Sequence, residues 1–328
     1  MYVSVVVPCY RSSATLPALV ARLEDVLSTA VAGYEVVLVV DGGDRATWTT
    51  ALELQRSHPH VGAVRLSRNY GQHNALVAGV RAARHDVTVT MDDDLQHPPE
   101  EIPALLAALT EDVDLVYGVA AEEEHGAGRS FSSRLAKAAM ERVMAVRDAR
   151  QLSAFRAFRT FLRDGFTTLN GPHACLDVAL SWGTTHITAV TVRMDERAEG
   201  ESGYTFRKLV QHTVNMVLGY STAPLRLVTY LGAAVGLLGF ALLARVLFLY
   251  FSGQTTVAGF TTVASLVSLF ASAQMIAIGT LGEYLGRVHT NGQGRPTYVI
   301  RAAADPRPAA TVPAPAGPAR DYAGSTAG

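Results

Sequence analysis

A mostly parallel α/β sheet followed by a two-helix transmembrane hairpin is the fold class that this sequence predicts. Three observations point to it: β-branched runs alternating with helical spacings through residue 210, two long uncharged apolar runs after residue 226, and an Ala/Pro/Gly-rich end. At 328 residues the chain is long enough for a sizeable core. Its net charge of -1 gives no global basic field, so nucleic acid is not an expected partner. Two cysteines, Cys9 and Cys175, are too few for a disulfide framework or a cysteine-rich metal site. A hydrophobic fraction of 49% against 17% charged leans toward a membrane contribution.

Taken in order, "YVSVVVP" from Tyr2 is a continuous β-branched strand, and "TLPALVARLEDVLSTA" after it has helical spacing. The strand "YEVVLVV" ends at Asp41, and "ATWTTALELQRS" is helical again. "VGAVRLS", "QHNALVAGVRAA" and "DVTVTM" repeat the cycle. Apolar strands alternating with helices imply a parallel sheet covered on both faces, in which ligands bind at the carboxyl ends of the strands. Pro8 and Tyr10, Asp41, Arg68 to Gly71, and Asp92 to Asp94 each fall at such an end, so they should converge on one rim.

Beyond residue 210 the pattern changes. Residues 206–225 begin with basic side chains and carry apolar positions at helical spacing, which suits a helix on the membrane surface or an ordinary helix packed on the domain. Residues 227–251 and 257–286 are the two expected spans, since roughly 20 apolar residues cross a bilayer core. Arg226, Arg287, Arg295 and Arg301 flank them on one side, which places the preceding α/β domain and both termini in the cytoplasm under the positive-inside rule. Residues 301–328 are expected to be a disordered tail.

Chemistry concentrates in "MDDDLQHPPEEIP". Three like charges at the end of a buried strand repel one another, and a divalent cation would relieve them. Asp92 and Asp94, two apart in an extended backbone, point the same way, and Gln96 could add a neutral oxygen. Hard oxygen donors suit Mg²⁺ or Mn²⁺, which commonly hold substrate phosphates as well. Asp177, a lone carboxylate in the apolar "ACLDVALSW", either faces a ligand or caps a helix, and the sequence leaves both open.

With "VSVVVPCY", "VVDGG", "LSRNYGQHNALVAG", "MDDDLQHPPEEIPALL", "DLVYG", "RAEGESGYTFRKL", "STAPLRLVTYLG" and "GEYLGRVH" in order, residues 2–300 resemble the inverting family 2 glycosyltransferases of GT-A fold. The likeness is to their polyprenyl-phosphate branch, the group of dolichol-phosphate mannose synthase. That resemblance implies a GT-A domain over residues 1–210 and inverting transfer from a nucleotide sugar to a polyprenyl phosphate at the cytoplasmic membrane face. It assigns Pro8, Tyr10, Asp41, Arg68, Asn69, Gly71, Asp92 and Asp93 to the donor nucleotide, and Asp92, Asp94 and Gln96 to the metal. Asp92, Asp94 and Arg197 become the catalytic set, and Arg129, Arg134, Arg197 and Ser202 the acceptor and diphosphate set, with Gly200 in the same "RAEGES" element. Partners would be the nucleotide sugar, the polyprenyl phosphate and the bilayer, with homo-oligomerisation left open. The sequence departs from the family at Arg11-Ser12, Val40, Val119-Ala120 and Ser153-Ala154-Phe155-Arg156. Two rivals follow: a transferase that extends a glycan, and a non-catalytic membrane homologue.

Overall fold

The computed structural model describes residues 1–42, 45–120, 153–166, 175–195, 223–253 and 259–306. Strand β1 (Tyr2–Cys9), helix α1 (Leu16–Ala30), β2 (Gly33–Val40), α2 (Arg45–Ser57), β3 (Val61–Leu66), α3 (Gln72–Ala82) and β4 (Val87–Thr90) follow the alternation read from the sequence. A short 3₁₀ turn (Pro99–Glu101) leads into α4 (Ile102–Ala108). Then come β5 (Leu115–Ala120), β6 (Arg156–Arg159), the 3₁₀ segment Thr160–Phe166, α5 (Leu176–Gly183) and β7 (Ile187–Val192). Two long helices, α6 (Ala223–Phe251) and α7 (Phe260–Gly292), precede β8 (Ile300–Ala304).

Eight strands form one sheet in the order β7-β5-β6-β4-β1-β2-β3-β8. β1 pairs in parallel with β2 and β4, β2 with β3, and β5 with β7, so their carboxyl ends share one rim. β6 runs antiparallel between β4 and β5. Its first residue, Arg156, therefore meets the carboxyl ends of its neighbours, opposite Thr90 and Tyr117. An antiparallel strand among parallel ones delivers its beginning, rather than its end, to the rim.

Both faces of the sheet are covered. Val3, Val5 and Val7 of β1 pack with Leu16, Leu19, Leu23 and Leu27 of α1, whereas Val6 faces Leu76 and Val80 of α3. Alternate residues of one strand thus feed two cores, which is why β1 reads as apolar without a break. The contact with α3 is close: a Cβ built on Gly79 would lie 2.2 Å from Val6 Cγ1 and 2.9 Å from Val39 Cγ2.

The far edge closes differently from expectation. β8 pairs antiparallel with β3, so residues 301–304 of the expected tail are a strand. Its approach is fixed by the Ser67 N–H donating to the Val299 carbonyl at 2.8 Å, and its exit by Gln55 donating to the Asp305 carbonyl at 2.9 Å. Pairing covers a β3 edge that would otherwise offer unpaired backbone groups. Nothing in the Ala-rich composition signals this, because backbone bonds carry the pairing. The expected stretches 206–222 and 307–328 lie outside the described residues.

α6 and α7 pack on one another, with Gly239 of α6 beneath the Phe270 ring of α7. Their apolar side chains face outward: Leu237 is 72% exposed, Phe240 71% and Phe248 70%. Among the described residues, no helix is long and apolar enough to cross a membrane.

Gly79→Ala is expected to destabilise the domain by about 1–3 kcal/mol through overpacking against Val6 and Val39. The measurement is the thermal unfolding midpoint, and an unchanged midpoint would contradict the close α3–sheet approach.

Candidate functional site

Four loops meet at the carboxyl-end rim, and carboxylates tie them together through backbone N–H groups. After β2, Asp41 is 3% exposed and accepts the N–H of Tyr70 at 2.7 Å and of Gly71 at 2.7 Å. Burial pushes its carboxyl above the usual range, and those two N–H groups oppose the shift. The loops are so close that a Cβ on Gly42, which has φ +68, would lie 2.2 Å from Arg68 C and Asn69 N. Only glycine accommodates both that conformation and that approach. Asp41, assigned by resemblance to the donor nucleotide, is thus the post that holds the β3–α3 loop.

That loop presents Arg68, Asn69 and Gly71. The Arg68 guanidinium lies 4.4 Å from the Tyr70 ring centre, and the Asn69 side chain accepts the Gly71 N–H at 3.0 Å. Pro8 is buried within β1, whereas Tyr10 is 48% exposed with the Arg11 guanidinium 5.3 Å from its ring centre. The rim therefore carries two cation–aromatic pairs, one on each side of Asp41.

The three consecutive aspartates separate by role. Asp93 turns toward β1 and accepts the Tyr10 N–H at 3.0 Å. Burial pushes its carboxyl up, with the Tyr10 N–H pulling the other way. Although expected on the donor nucleotide, Asp93 spends one oxygen on this loop-to-loop tie. Asp92 and Asp94 stay partly exposed on the rim. Gln72 at the start of α3 donates to Asp92 Oδ1 at 2.6 Å, and the Gln96 N–H donates to Asp94 Oδ1 at 3.2 Å. Leu95, with φ 64, turns the chain sharply between them.

Beneath the loop sits His97, 8% exposed and stacked on Phe155 at 5.3 Å. Its Nδ1 accepts the Asp92 N–H at 3.2 Å, which requires a neutral ring with the proton on Nε2. Burial lowers the His97 pKa to about 4, against the pull of Asp94 and with the help of Arg156. On the other side, the Asp195 N–H donates to the Gln96 carbonyl at 2.9 Å, so the chain leaving β7 joins the same loop. Neither His97 nor Gln72 stood out in the sequence. A histidine seven residues past the end of β4 and a glutamine opening a helix were the only traces.

Asp92, Asp94 and Gln96 fit a divalent cation: two carboxylates and a neutral amide oxygen are hard donors on one short turn. A second cluster, with ligand atoms of His73, Cys175 and Asp177 all within 4.8 Å of one another, does not. The buried Arg156 guanidinium is paired with Asp177, and burial followed by Asp177 pushes the Cys175 thiol up to about 11. A cation there would face a fixed positive charge and a protonated thiol. Arg129, Arg134, Arg197, Gly200 and Ser202 lie outside the described residues.

Comparison with known proteins adds a frame to this geometry. The family described as glycosyl transferase family 2 matches residues 4–173. An undecaprenyl-phosphate 4-deoxy-4-formamido-L-arabinose transferase of Pseudomonas aeruginosa (strain LESB58) is 34% identical over 94% of this chain and 92% of its own. The enzyme of the same name from Shewanella sediminis (strain HAW-EB3) is 32% identical over 92% of each. A solved glucosyl-3-phosphoglycerate synthase of Mycobacterium tuberculosis covers 66% of this chain and 77% of its own at 17% identity, with a TM-score of 0.46.

The buried His97 gives a pH dependence to stability. Its folded pKa lies below the unfolded value, so the unfolded chain binds more protons between about pH 6.5 and about pH 4. Stability is full above that window and falls as pH drops through it. In metal-free buffer, His97→Gln is expected to flatten the fall in unfolding midpoint across this range. An unchanged slope would contradict the neutral, buried ring.

Proposed function

The chain belongs to glycosyl transferase family 2, and from that premise we propose that it moves a sugar from a nucleotide donor to a polyprenyl phosphate at the cytoplasmic face of a membrane, with inversion. The observation that carries the reading is the likeness to polyprenyl-phosphate sugar transferases along nearly the whole chain, together with a rim that gathers Tyr10, Arg68 and the Asp92–Asp94 pair.

The donor nucleotide's place is between the Tyr10 and Arg68 faces, where exposed ring and guanidinium surfaces suit a base and ribose. Its diphosphate belongs at the Asp92 loop. Asp92, Asp94 and Gln96 would hold Mg²⁺ or Mn²⁺ there, which when bound offsets the charge on the departing nucleoside diphosphate. The protein's own contribution is to keep that loop rigid. Gln72 and His97 orient Asp92 from two sides, Asp93 anchors the turn to β1, and Asp195 ties its far end to β7. Donors arranged in advance need no reorganisation as charge develops.

No strong base is required. A phosphate monoester is largely anionic at neutral pH, its second pKa being about 6, so the acceptor oxygen arrives ready to attack the anomeric carbon. Arg129, Arg134, Arg197 and Ser202 are the proposed acceptor and diphosphate contacts, placed by sequence alone. Arg197 comes two residues after Asp195, whose N–H bonds the Gln96 carbonyl.

The membrane supplies both acceptor and anchor. The proposed spans are residues 227–251 and 257–286 of the full sequence, each longer than the roughly 20 residues that a bilayer core needs. The full sequence carries no charge from 227 to 244 or from 257 to 282, and the outward apolar side chains of both helices need an apolar surround. Lipid fits that surround, and the basic flanks favour the cytoplasmic side for the catalytic domain.

The test is transfer of radiolabelled sugar into organic-extractable lipid by the purified full chain with undecaprenyl phosphate, Mn²⁺ and a panel of sugar nucleotides. Transfer from one donor, abolished by EDTA and reduced at least about 100-fold by Asp94→Ala, is expected. Turnover that survives both treatments would contradict the metal site, and no lipid label from any donor would contradict the acceptor.

A further inference from the structure

We infer that Asp177, held in place by Arg156 and Tyr117, is the group that reads the donor sugar, selecting a neutral sugar with an O–H or N–H to donate and rejecting a carboxylated one. The inference rests on the reading above of the Asp92 loop as the diphosphate site. It starts from the arginine that opens β6. Arg156 is 1% exposed; its Nε donates to Thr90 Oγ1 at 2.9 Å and its guanidinium pairs with Asp177 Oδ1. Tyr117 donates its phenolic hydrogen to the same oxygen at 3.2 Å.

A purely structural ion pair would be placed for packing, and a helix-capping carboxylate would bond its own first turn. Asp177 stands in the first turn of α5, whose N-cap Cys175 makes no side-chain cap bond, and its carboxylate bonds Arg156 and Tyr117 on the sheet. Its side chain is 14% exposed, whereas the guanidinium paired with it is 1% exposed, so the cation lies behind the anion. Both recorded hydrogen bonds fall on Oδ1. The route from Asp177 to the diphosphate loop is short: His73 lies within 4.8 Å of it by ligand atoms, and the adjacent Gln72 bonds Asp92. A sugar extending from a diphosphate at Asp92 toward α5 therefore meets this carboxylate.

Chemistry then sets the class of ligand. A carboxylate backed by a buried guanidinium accepts hydrogen bonds from sugar hydroxyl or amide N–H groups, and charge-assisted bonds of that kind are strong. The same fixed anion, close to Asp92 and Asp94, repels a uronate carboxylate. Recognition is its role, because the acceptor phosphate carries no proton that must be removed.

The experiment compares UDP-glucose with UDP-glucuronate as donors to undecaprenyl phosphate, and measures UDP affinity separately, for the full chain and for Asp177→Asn and Tyr117→Phe. Wild type is expected to prefer the neutral donor. Asp177→Asn should lower kcat/KM for that donor by about 10- to 100-fold, leave UDP affinity unchanged and narrow the preference over the uronate. Tyr117→Phe, which keeps the packing, should move the same ratio in the same direction by less, and it carries the test if Asp177→Asn does not fold. An unchanged preference in the folded variants, or an equal loss of UDP affinity, overturns the inference. Failure of wild type to transfer from any donor would instead remove the diphosphate-site reading, and this inference with it.

Discussion

Three adjacent aspartates cannot all face one site, because each ionised carboxylate raises the cost of ionising the next. The structure resolves this by giving Asp93 a backbone donor on another strand, the Tyr10 N–H, while Asp92 and Asp94 stay on the rim. Everything around the site depends on that division. It fastens the β1 loop to the β4 loop, and Asp41 repeats the device between the β2 and β3 loops. Strand ends in a parallel sheet leave backbone N–H groups without ladder partners, and buried carboxylates satisfy them here while fixing loop positions.

A second layer stiffens the same turn from below. His97 accepts the Asp92 N–H, its ring stacks on Phe155, and the next residue along β6 is Arg156. Because β6 is antiparallel, this one strand start supports both the Asp92 loop and the Asp177 carboxylate. Burial pulls the Arg156 guanidinium pKa down, and Asp177, Tyr117, Cys175 and Asp92 together more than offset that. The two carboxylate regions are thus joined through one buried cation, as a partly satisfied buried charge would not be tolerated.

Much of this is legible in the sequence. Continuous Val-rich strands at β1 and β2, separated by helical spacing, identify a sheet covered on both faces, and strand ends give the rim. Period-two spacing singles out Asp92 and Asp94, and the turn at Leu95 takes this stretch out of extended backbone. What the sequence hid is whatever depends on partners distant in the chain. Asp93 and Asp92 look alike as letters, and only the approach of Tyr10, 83 residues away, gives them different tasks. Arg156 read as a departure from a family pattern because no one-dimensional signal marks an arginine whose anion lies 21 residues on. β8 was missed for a related reason: an edge strand formed by backbone bonds needs no β-branched side chains.

The central claim is that the end of β4 is the diphosphate and metal site, with the neighbouring His73, Cys175 and Asp177 cluster reserved for the sugar. An experimental structure of the full chain with Mn²⁺ and a nucleoside diphosphate, phased to show the anomalous signal of manganese, tests it most directly. The account requires the manganese peak between the carboxylates of Asp92 and Asp94, with the diphosphate on the same side and Arg156 still on Asp177. A peak among His73, Cys175 and Asp177, with Arg156 displaced, would contradict it.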